Sequence, residues 1–284
     1  MASQRPSKRQ RISGTISPVT PLSPDDEETL GSVSGSKSNG NSTPSSRLLD
    51  RAIEVLRVEA DALANVAALY QNDAAARAGL AAAVEAIVEA QHQDGKLVVC
   101  GVGKSGYIAQ KLTATCKSLG IRAAFLHACE AMHGDLGDIR PRDVLLFVSY
   151  SGQTPELLNL LSHVPETVRV MAMSSHNDAL DCRLLMDRDG GILLPTPIPI
   201  KEEDSFGVRA PTTSTTVALA VADMLALTVA DELHREDTKS VFQRNHPGGA
   251  IGMTPQEVES LKRADVDVSI VALPSPSISA ESED

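Results

Sequence analysis

Aromatic side chains are scarce in this chain: they make up 2% of its 284 residues, and tryptophan is absent. A core must therefore be built from aliphatic side chains, and the stacked aromatic surfaces that bind single-stranded nucleic acid are not expected. Basic side chains are also outnumbered, 26 against 37 acidic ones, which gives a net charge of −11. Because proteins that hold nucleic acid through its phosphates are rich in basic residues, no nucleic-acid partner is expected.

Long hydrophobic runs and paired cysteines are missing as well. No run of about eighteen apolar residues occurs, so we expect no membrane-spanning helix and no membrane partner. The N-terminus lacks the apolar stretch of a secretory signal. The four cysteines show no metal-ligand spacing; they are Cys100, Cys116, Cys129 and Cys182. We interpret them as reduced thiols, three of them in segments that look buried, and expect a cytoplasmic protein.

Both ends of the chain are poor in residues that could form a core. Residues 1–46 are rich in Ser, Pro, Gly and charge, which predicts a disordered tail. Residues 254–284 form a Ser/Pro/acid tail that is predicted to be mostly disordered, and 47–253 is predicted to be one domain. The N-terminal tail contains a basic cluster that resembles a nuclear-localisation signal and leaves a nuclear location open; its members are Arg5, Lys8, Arg9 and Arg11.

Strand and helix patterns alternate through the domain. A helix with an apolar face starts near Leu48, and a second, Ala-rich helix is predicted over 74–89. Short apolar strands then alternate with helices, and a long apolar helix is predicted over 212–233. The predicted strands are 97–100, 122–126, 144–149, 168–173 and 192–194. This alternation predicts an α/β fold with a parallel sheet covered on both faces, in which ligands bind beyond the carboxyl ends of the strands.

The segment 149–156 follows the third predicted strand and reads Ser-Tyr-Ser-Gly-Gln-Thr-Pro-Glu. It predicts a tight loop that leads into a helix. Backbone N–H groups, the hydroxyls of Ser149, Ser151 and Thr154 and the helix N-terminus would surround one spot, which suits a phosphate. Glu156 lies within reach of whatever carries that phosphate. The segment therefore indicates acid–base chemistry on a phosphorylated small molecule.

A glycine-rich loop at 101–106 follows the first predicted strand and fits G-x-G-x-x-G. A dinucleotide site therefore has to be considered, but no acid that could bind a ribose ends the second strand. It is not a Walker loop, because Val98 stands where the first glycine is needed. In the alternative interpretation, the glycines only permit a close strand-to-helix turn, and Lys104 is an ordinary solvated lysine.

Three further polar segments are candidates for chemistry. The loop 127–137 holds two histidines and two acids, which favours a catalytic or structural polar loop; no second cluster completes a metal site, so no metal is expected. The acidic run 201–204, predicted to be a solvated loop, precedes a hydroxyl-rich helix start at 210–216. His246 lies in a compact turn over 245–250, where its ring can exchange protons near neutral pH.

Together these segments resemble the sugar isomerase (SIS) domain, and specifically the arabinose-5-phosphate isomerase family, over roughly residues 48–252. The matching segments are 101–106, 127–137, 149–156, 210–216 and 246–250, in the family's order. The resemblance implies a three-layer α/β/α sandwich with a five-stranded parallel sheet, preceded by an N-terminal helical pair. It also implies interconversion of D-arabinose 5-phosphate and D-ribulose 5-phosphate, with no cofactor and no required metal.

The resemblance also implies the site residues. Its catalytic positions fall on Lys104, Glu156, Glu202 and His246. The substrate-binding residues predicted beside them are Gly103, Ser105, His133, Ser149, Ser151 and Thr154. Because one extra residue stands between Gly207 and Ala210, Glu203 is an alternative to Glu202. The base that moves a proton between C1 and C2 would be Glu156 or Glu202, with His246 opening the sugar ring and Lys104 steadying negative charge on oxygen.

Family members form homotetramers in which the His-Pro-Gly-Gly segment can complete a neighbouring subunit's site, so a homotetramer is expected. Many members carry two C-terminal CBS modules, which we expect to be absent here because only residues 254–284 follow the domain. Two other functions stay open at this point. One is a non-catalytic regulatory protein that binds a sugar phosphate, and the other is a nicotinamide-dependent oxidoreductase.

Overall fold

The computed structural model describes residues 44–247, 250–253, 256 and 258–260. The N-terminal basic cluster and most of the two predicted tails lie outside these residues. The first helix begins at Pro44, three residues before the predicted boundary, because the fixed φ of proline suits the first turn of a helix. Helical backbone is also present at 256 and 258–260, inside the predicted C-terminal tail.

Five parallel strands form one sheet, as predicted. They are β1 Leu97–Gly101, β2 Ala123–His127, β3 Val144–Val148, β4 Arg169–Ser174 and β5 Ile192–Pro195. Their order in the sheet is β2-β1-β3-β4-β5, so the direction of winding reverses between β1 and β3. The loops that follow β1 and β3 run to opposite faces of the sheet, and a crevice opens between them at the carboxyl edge.

Eight α-helices accompany the strands within residues 44–247. They are α1 Pro44–Asn72, α2 Ala74–His92, α3 Lys104–Ser118, α4 Ala128–Ala131, α5 Pro155–Leu161, α6 Glu202–Phe206, α7 Thr213–His234 and α8 Thr238–Asn245. The prediction of a solvated loop at 201–204 is wrong, because these residues lead into and begin α6. Acidic residues in the first turn favour this helix through its dipole, and Gly207 ends it with a left-handed φ of 75°.

The core has two parts, one on each face of the sheet. Alternate residues of the strands point to opposite faces, so Leu146 belongs to the cluster under α1, α2, α3 and α7, whereas Phe147 belongs to the cluster under α4 and α5. This arrangement confirms the predicted three-layer sandwich. The N-terminal pair, α1 and α2, packs against α7 and so forms part of one outer layer.

The apolar face predicted for α1 is covered along only part of its length. Ala62 and Val66, in its C-terminal half, are buried in the core. In its N-terminal half, by contrast, Leu48 is 73% exposed and Leu56 is 68% exposed. The periodicity therefore predicts the helix correctly, but the described residues of the chain do not cover this end of it.

One helical stretch in the described residues, Thr213–Asn245, is long and apolar enough to cross a membrane by length and composition alone. Its apolar residues are interrupted by polar ones, which is why no such helix was expected from the sequence. Val217, Val221 and Leu225 of this stretch are buried in the core shared with the sheet. The apolar composition of α7 is therefore explained by its central place in one helical layer.

Three of the four cysteines are buried, as predicted, and Cys129 is exposed. Burial raises the pKa of Cys100 to about 12 and that of Cys116 to about 12. These two groups therefore stay protonated thiols near neutral pH, in which form they are poor nucleophiles and poor metal ligands.

Candidate functional site

A cavity of about 620 Å³ lies at the carboxyl edge of the sheet, where the winding reverses. Its walls come from the loop after β1, the ends of β3 and β4, the segment after β5, and the start of α7. Its polar lining residues include Lys104, Ser105, Tyr150, Glu202, Glu203, Arg209 and Ser214. The cavity therefore combines cationic, carboxylate and hydroxyl groups in one place.

The glycine-rich loop brings Lys104 to this cavity as the first residue of α3. Gly103 has a φ of 58°, which favours glycine, and so permits the sharp turn from strand to helix. A Cβ atom at Gly101 would lie 2.6 Å from the Ser105 carbonyl oxygen, so only glycine allows α3 to approach β1 this closely. The glycines thus serve the turn, and the same turn places Lys104 and Ser105 on the cavity wall.

Glu202 lines the cavity and also caps α7. Its Oε1 accepts hydrogen bonds from the N–H of Thr212 at 2.6 Å, from the N–H of Ser214 at 3.0 Å and from the Ser214 hydroxyl at 2.8 Å. These contacts fix the carboxylate at the start of α7, where the helix dipole favours negative charge. No hydrogen bond to its Oε2 is seen among the described residues, so this oxygen remains available to exchange a proton.

Glu203, the alternative to Glu202, has a different hydrogen-bond partner. Its Oε2 accepts a hydrogen bond from Nε of Arg209 at 2.6 Å, in an ion pair whose two side chains are exposed. Glu203 also lines the cavity, so the two neighbours share the site but have different partners. Of the two, only Glu202 has a carboxylate that is fixed by backbone groups.

Arg51 of α1 anchors the short helix that carries both glutamates. Its guanidinium donates to the carbonyl oxygens of Ser205 and Phe206, at 3.1 Å each, and lies 5.4 Å from the centre of the Phe206 ring. A helix of five residues has little stability of its own, so these contacts help to hold α6 at the cavity. Sequence reasoning missed Arg51, because nothing in the local pattern indicates a contact 154 residues away.

Tyr150 is a second cavity residue that sequence reasoning did not single out. Burial raises the pKa of its hydroxyl, and the nearby charge of Glu202 raises it further, while a hydrogen bond with Ser175 lowers it. The phenol therefore stays protonated near neutral pH and can donate a hydrogen bond into the cavity.

The predicted phosphate loop, residues 149–154, borders the cavity through Tyr150. Ser149 is buried, and its Oγ lies 2.8 Å from Oγ1 of Thr154, so the two hydroxyls close the loop at its ends. Ser151 is exposed on the loop, and Gly152 turns the backbone with a φ of 60°. Apart from Tyr150, these residues do not line the cavity.

Three predicted site residues with ionisable side chains also do not line the cavity. Glu156 is exposed on the first turn of α5, and His133 is exposed on the loop after α4. His246 contacts the other end of α3: its Nε2 lies 3.2 Å from Oγ of Ser118, and its Nδ1 lies 2.8 Å from the Phe242 carbonyl oxygen. Because α3 rises about 1.5 Å per residue, Lys104 and His246 are separated by about 20 Å within one protomer.

The polar loop 127–137 has structural contacts of its own. Nδ1 of His127 accepts a hydrogen bond from the N–H of Cys129 at 3.3 Å and so caps the short helix α4. Within the part of the chain that the structure describes, no three His, Cys, Asp or Glu side chains come close enough to hold a metal ion. Gly248 and Gly249 of the predicted His246 turn lie outside the described residues.

Comparison with known proteins places these features in a family. A family model described as SIS domain matches residues 91–173. An uncharacterized protein of Helicobacter pylori J99 is 41% identical over 205 residues, which cover 71% of this chain and 57% of that protein. Arabinose 5-phosphate isomerase GutQ of Escherichia coli K12 is 38% identical over 189 residues, which cover 64% of this chain and 54% of that enzyme. The chain thus spans about half the length of the curated relatives it matches.

One solved structure is matched over almost its whole length. A protein of Escherichia coli CFT073 in complex with arabinose 5-phosphate has a TM-score of 0.58 and 30% identity to this chain, covering 69% of this chain and 97% of that one. The glycine-rich turn, the hydroxyl-rich loop after β3 and the strands β1, β2 and β3 lie within residues 91–173, which the family model matches. The family resemblance read from the sequence is thereby confirmed, and the chain belongs to the SIS domain family.

Proposed function

We propose that the protein is an aldose–ketose isomerase that acts on a sugar phosphate, and that it interconverts D-arabinose 5-phosphate and D-ribulose 5-phosphate. The observation that carries this proposal is the meeting of Lys104 with the backbone-anchored carboxylate of Glu202 in one cavity. The names of the similar proteins support it, since GutQ is an arabinose 5-phosphate isomerase and the solved relative holds arabinose 5-phosphate. Handling of a phosphorylated pentose also agrees with a cytoplasmic location.

The chemistry requires a proton to move between two neighbouring carbons. We assign the base to Oε2 of Glu202, which would take the proton from C2 of the open-chain aldose to form an enediolate and then return it to C1. The hydroxyl proton on O2 would move to O1, so that no oxidant or reductant is consumed. Lys104 would stabilise the negative charge that develops on oxygen, and the protonated Tyr150 would donate a second hydrogen bond.

The phosphate group would bind at the loop after β3. We assign its recognition to the hydroxyls of Ser149, Ser151 and Thr154, together with that of Ser105 at the start of α3. The ammonium group of Lys104 adds a positive charge on the cavity side of this loop. Glu156, exposed on α5, is the alternative base if the sugar extends along this loop rather than toward α7.

Turnover of the sugar phosphate tests the proposal. With D-arabinose 5-phosphate in D2O, we expect D-ribulose 5-phosphate to form with deuterium at C1, at a kcat of about 1 to 10³ per second. ¹H NMR would follow both the ketose and the exchange, and D-arabinose without phosphate serves as the control that should react far more slowly. Binding without turnover would instead indicate a regulatory sugar-phosphate-binding protein, and reduction of added NAD would indicate an oxidoreductase.

We further propose that His246 acts in the site of a neighbouring subunit of a homotetramer. Within one protomer it is about 20 Å from Lys104, a distance that no side-chain motion closes. The exposed leucines on the N-terminal half of α1, among them Leu48 and Leu56, supply an apolar surface of the kind that subunit interfaces bury.

Mixing two inactive variants distinguishes a shared site from a single-chain site. We expect Lys104→Ala and His246→Ala each to lose about 10²-fold or more in kcat. If Lys104 and His246 come from different subunits, random reassembly of an equal mixture restores one site in four and therefore about a quarter of wild-type activity. An inactive mixture of correctly assembled tetramers would place both residues in the same chain and contradict the proposal.

A further inference from the structure

Three consecutive residues at the end of β4, Ser174, Ser175 and His176, hold the backbone of the phosphate loop. The Tyr150 carbonyl oxygen accepts hydrogen bonds from the Ser174 hydroxyl at 3.1 Å, from the Ser175 hydroxyl at 2.7 Å and from the Ser175 N–H at 2.9 Å. The next carbonyl oxygen, that of Ser151, lies 3.0 Å from Nε2 of His176. Two successive peptide groups of the loop are thus fixed from the same neighbouring segment.

These bonds fix where the loop N–H groups point. A trans peptide is planar, and its C=O and N–H point in opposite directions. Since the Tyr150 carbonyl faces β4, the N–H of Ser151 in the same peptide faces away from it. This N–H has no hydrogen-bond partner within the described residues and is therefore available to an anion on the open side of the loop.

Among the described residues, His176 alone donates a hydrogen bond to the Ser151 carbonyl oxygen. The Tyr150 carbonyl has three donors, so the loss of any one leaves others in place. Within the part of the chain that the structure describes, the Ser151 carbonyl has one donor, the ring of His176. Because a carbonyl oxygen only accepts, Nε2 must carry the proton, and this contact fixes the tautomer of the neutral ring.

The ring also packs against the sharpest turn of the loop. Gly152 adopts a φ of 60°, and a Cβ atom added there would lie 3.0 Å from Cδ2 of His176 and 2.8 Å from Sγ of the buried Cys182. Glycine is therefore required here both by the backbone conformation and by the closeness of the ring. The contact makes His176 and the loop one packed unit.

The segment that presents His176 is itself anchored in the sheet. Ser174 is fully buried, and its carbonyl oxygen accepts a hydrogen bond from the N–H of Thr196 after β5. On the other side, the N–H of Ser149 donates to the Met173 carbonyl oxygen at 3.0 Å. These backbone hydrogen bonds hold the phosphate loop and the segment that carries His176 in fixed positions relative to the sheet.

We propose that His176 is a positioning residue for the phosphate ester of the substrate: its Nε2–H holds the Ser151 carbonyl so that the loop N–H and hydroxyl groups meet the phosphate. The inference rests on the proposed function, because it takes the loop after β3 to be the phosphate site. His176 need not touch the substrate. Its effect should therefore fall on the binding of phosphate-bearing ligands and not on the proton-transfer step.

Three variants test this assignment. His176→Ala removes the donor, His176→Gln keeps an N–H donor at a similar reach, and His163→Ala is a matched control at an exposed histidine on the turn after α5. We expect His176→Ala to raise KM for the sugar phosphate about three- to tenfold with kcat little changed, the size expected for one neutral hydrogen bond. His176→Gln should recover most of the loss, and His163→Ala should match the wild type.

A second readout separates this inference from the proposed function. Calorimetric titration with inorganic phosphate should show the same order of affinities, wild type above His176→Ala, whether or not the sugar is turned over. Equal phosphate affinity and equal KM in wild type and His176→Ala would overturn the positioning role while leaving the isomerase proposal intact. Equal losses in the Ala and Gln variants, together with a lower melting temperature, would also overturn it, because only packing would then matter. A wild type that neither turns over the sugar phosphate nor binds inorganic phosphate would overturn both.

Discussion

Replacing Glu202 by glutamine should lower kcat about 10³-fold, within the range that a general base contributes. The amide oxygen of glutamine can still accept the three hydrogen bonds that reach Oε1 from Thr212 and Ser214. The variant loses only the negative charge and the second oxygen that would receive the proton. We therefore expect the free energy of unfolding to fall by only about 1 kcal/mol, the size of a charge–dipole contribution at a helix N-terminus. Steady-state kinetics and chemical denaturation measure the two effects separately.

Two further variants separate the catalytic role of Glu202 from its role as the cap of α7. Glu202→Ala removes the acceptor and leaves its donors on Thr212 and Ser214 without that partner, so we expect an added stability loss of about 1–3 kcal/mol. Asp204→Asn is the matched control: it neutralises an exposed carboxylate on the same helix and should leave kcat within about twofold of wild type. If Glu202→Gln keeps its activity while Glu156→Gln or Glu203→Gln loses it, the carboxylate of Glu202 is a cap for α7 and the base lies elsewhere.

Strands β1, β3 and β5 could be predicted from sequence because each is a short apolar run buried on both faces. Helix α6 could not, since it has only five residues and depends on Arg51, which is distant in the chain. Charge density alone made residues 201–204 look like a solvated loop. The acids in the first turn and Gly207 after the last turn are cap signals, and they gain weight only once tertiary contacts fix the segment.

Sequence motifs predicted the segments of the site better than its geometry. Lys104 and Ser105 could be placed because a glycine-rich turn must follow the end of β1. His176 could not be found in this way, since its contact with the phosphate loop requires β3 and β4 to be neighbours in the sheet. His246, in contrast, lies in a motif that the sequence makes recognisable. Its position at the C-terminal end of α3 could not be predicted, because it depends on how α8 packs.

Replacing Phe147 by alanine should lower the free energy of unfolding by about 3–5 kcal/mol. Phe147 is fully buried on the central strand β3 and is the aromatic residue of the core cluster under α4 and α5. Its neighbours in register on the adjoining strands are Cys100 and Ala172, which are both small. Because these neighbours cannot fill the space that the ring leaves, a large cavity should remain, and the loss should approach the upper end of the range.

Chemical denaturation measures this effect as a shift of the transition midpoint at an unchanged m-value. Phe147→Leu keeps most of the volume and should cost less than about 1.5 kcal/mol. Leu227→Ala is the surface control: its side chain is 53% exposed, so its removal should change stability by no more than about 0.5 kcal/mol. A loss below about 1 kcal/mol for Phe147→Ala would mean that α4 and α5 can close onto the sheet. The helical layer on that face would then be adaptable, and the phosphate loop that leads into α5 would have to be held mainly by its bonds to the segment after β4.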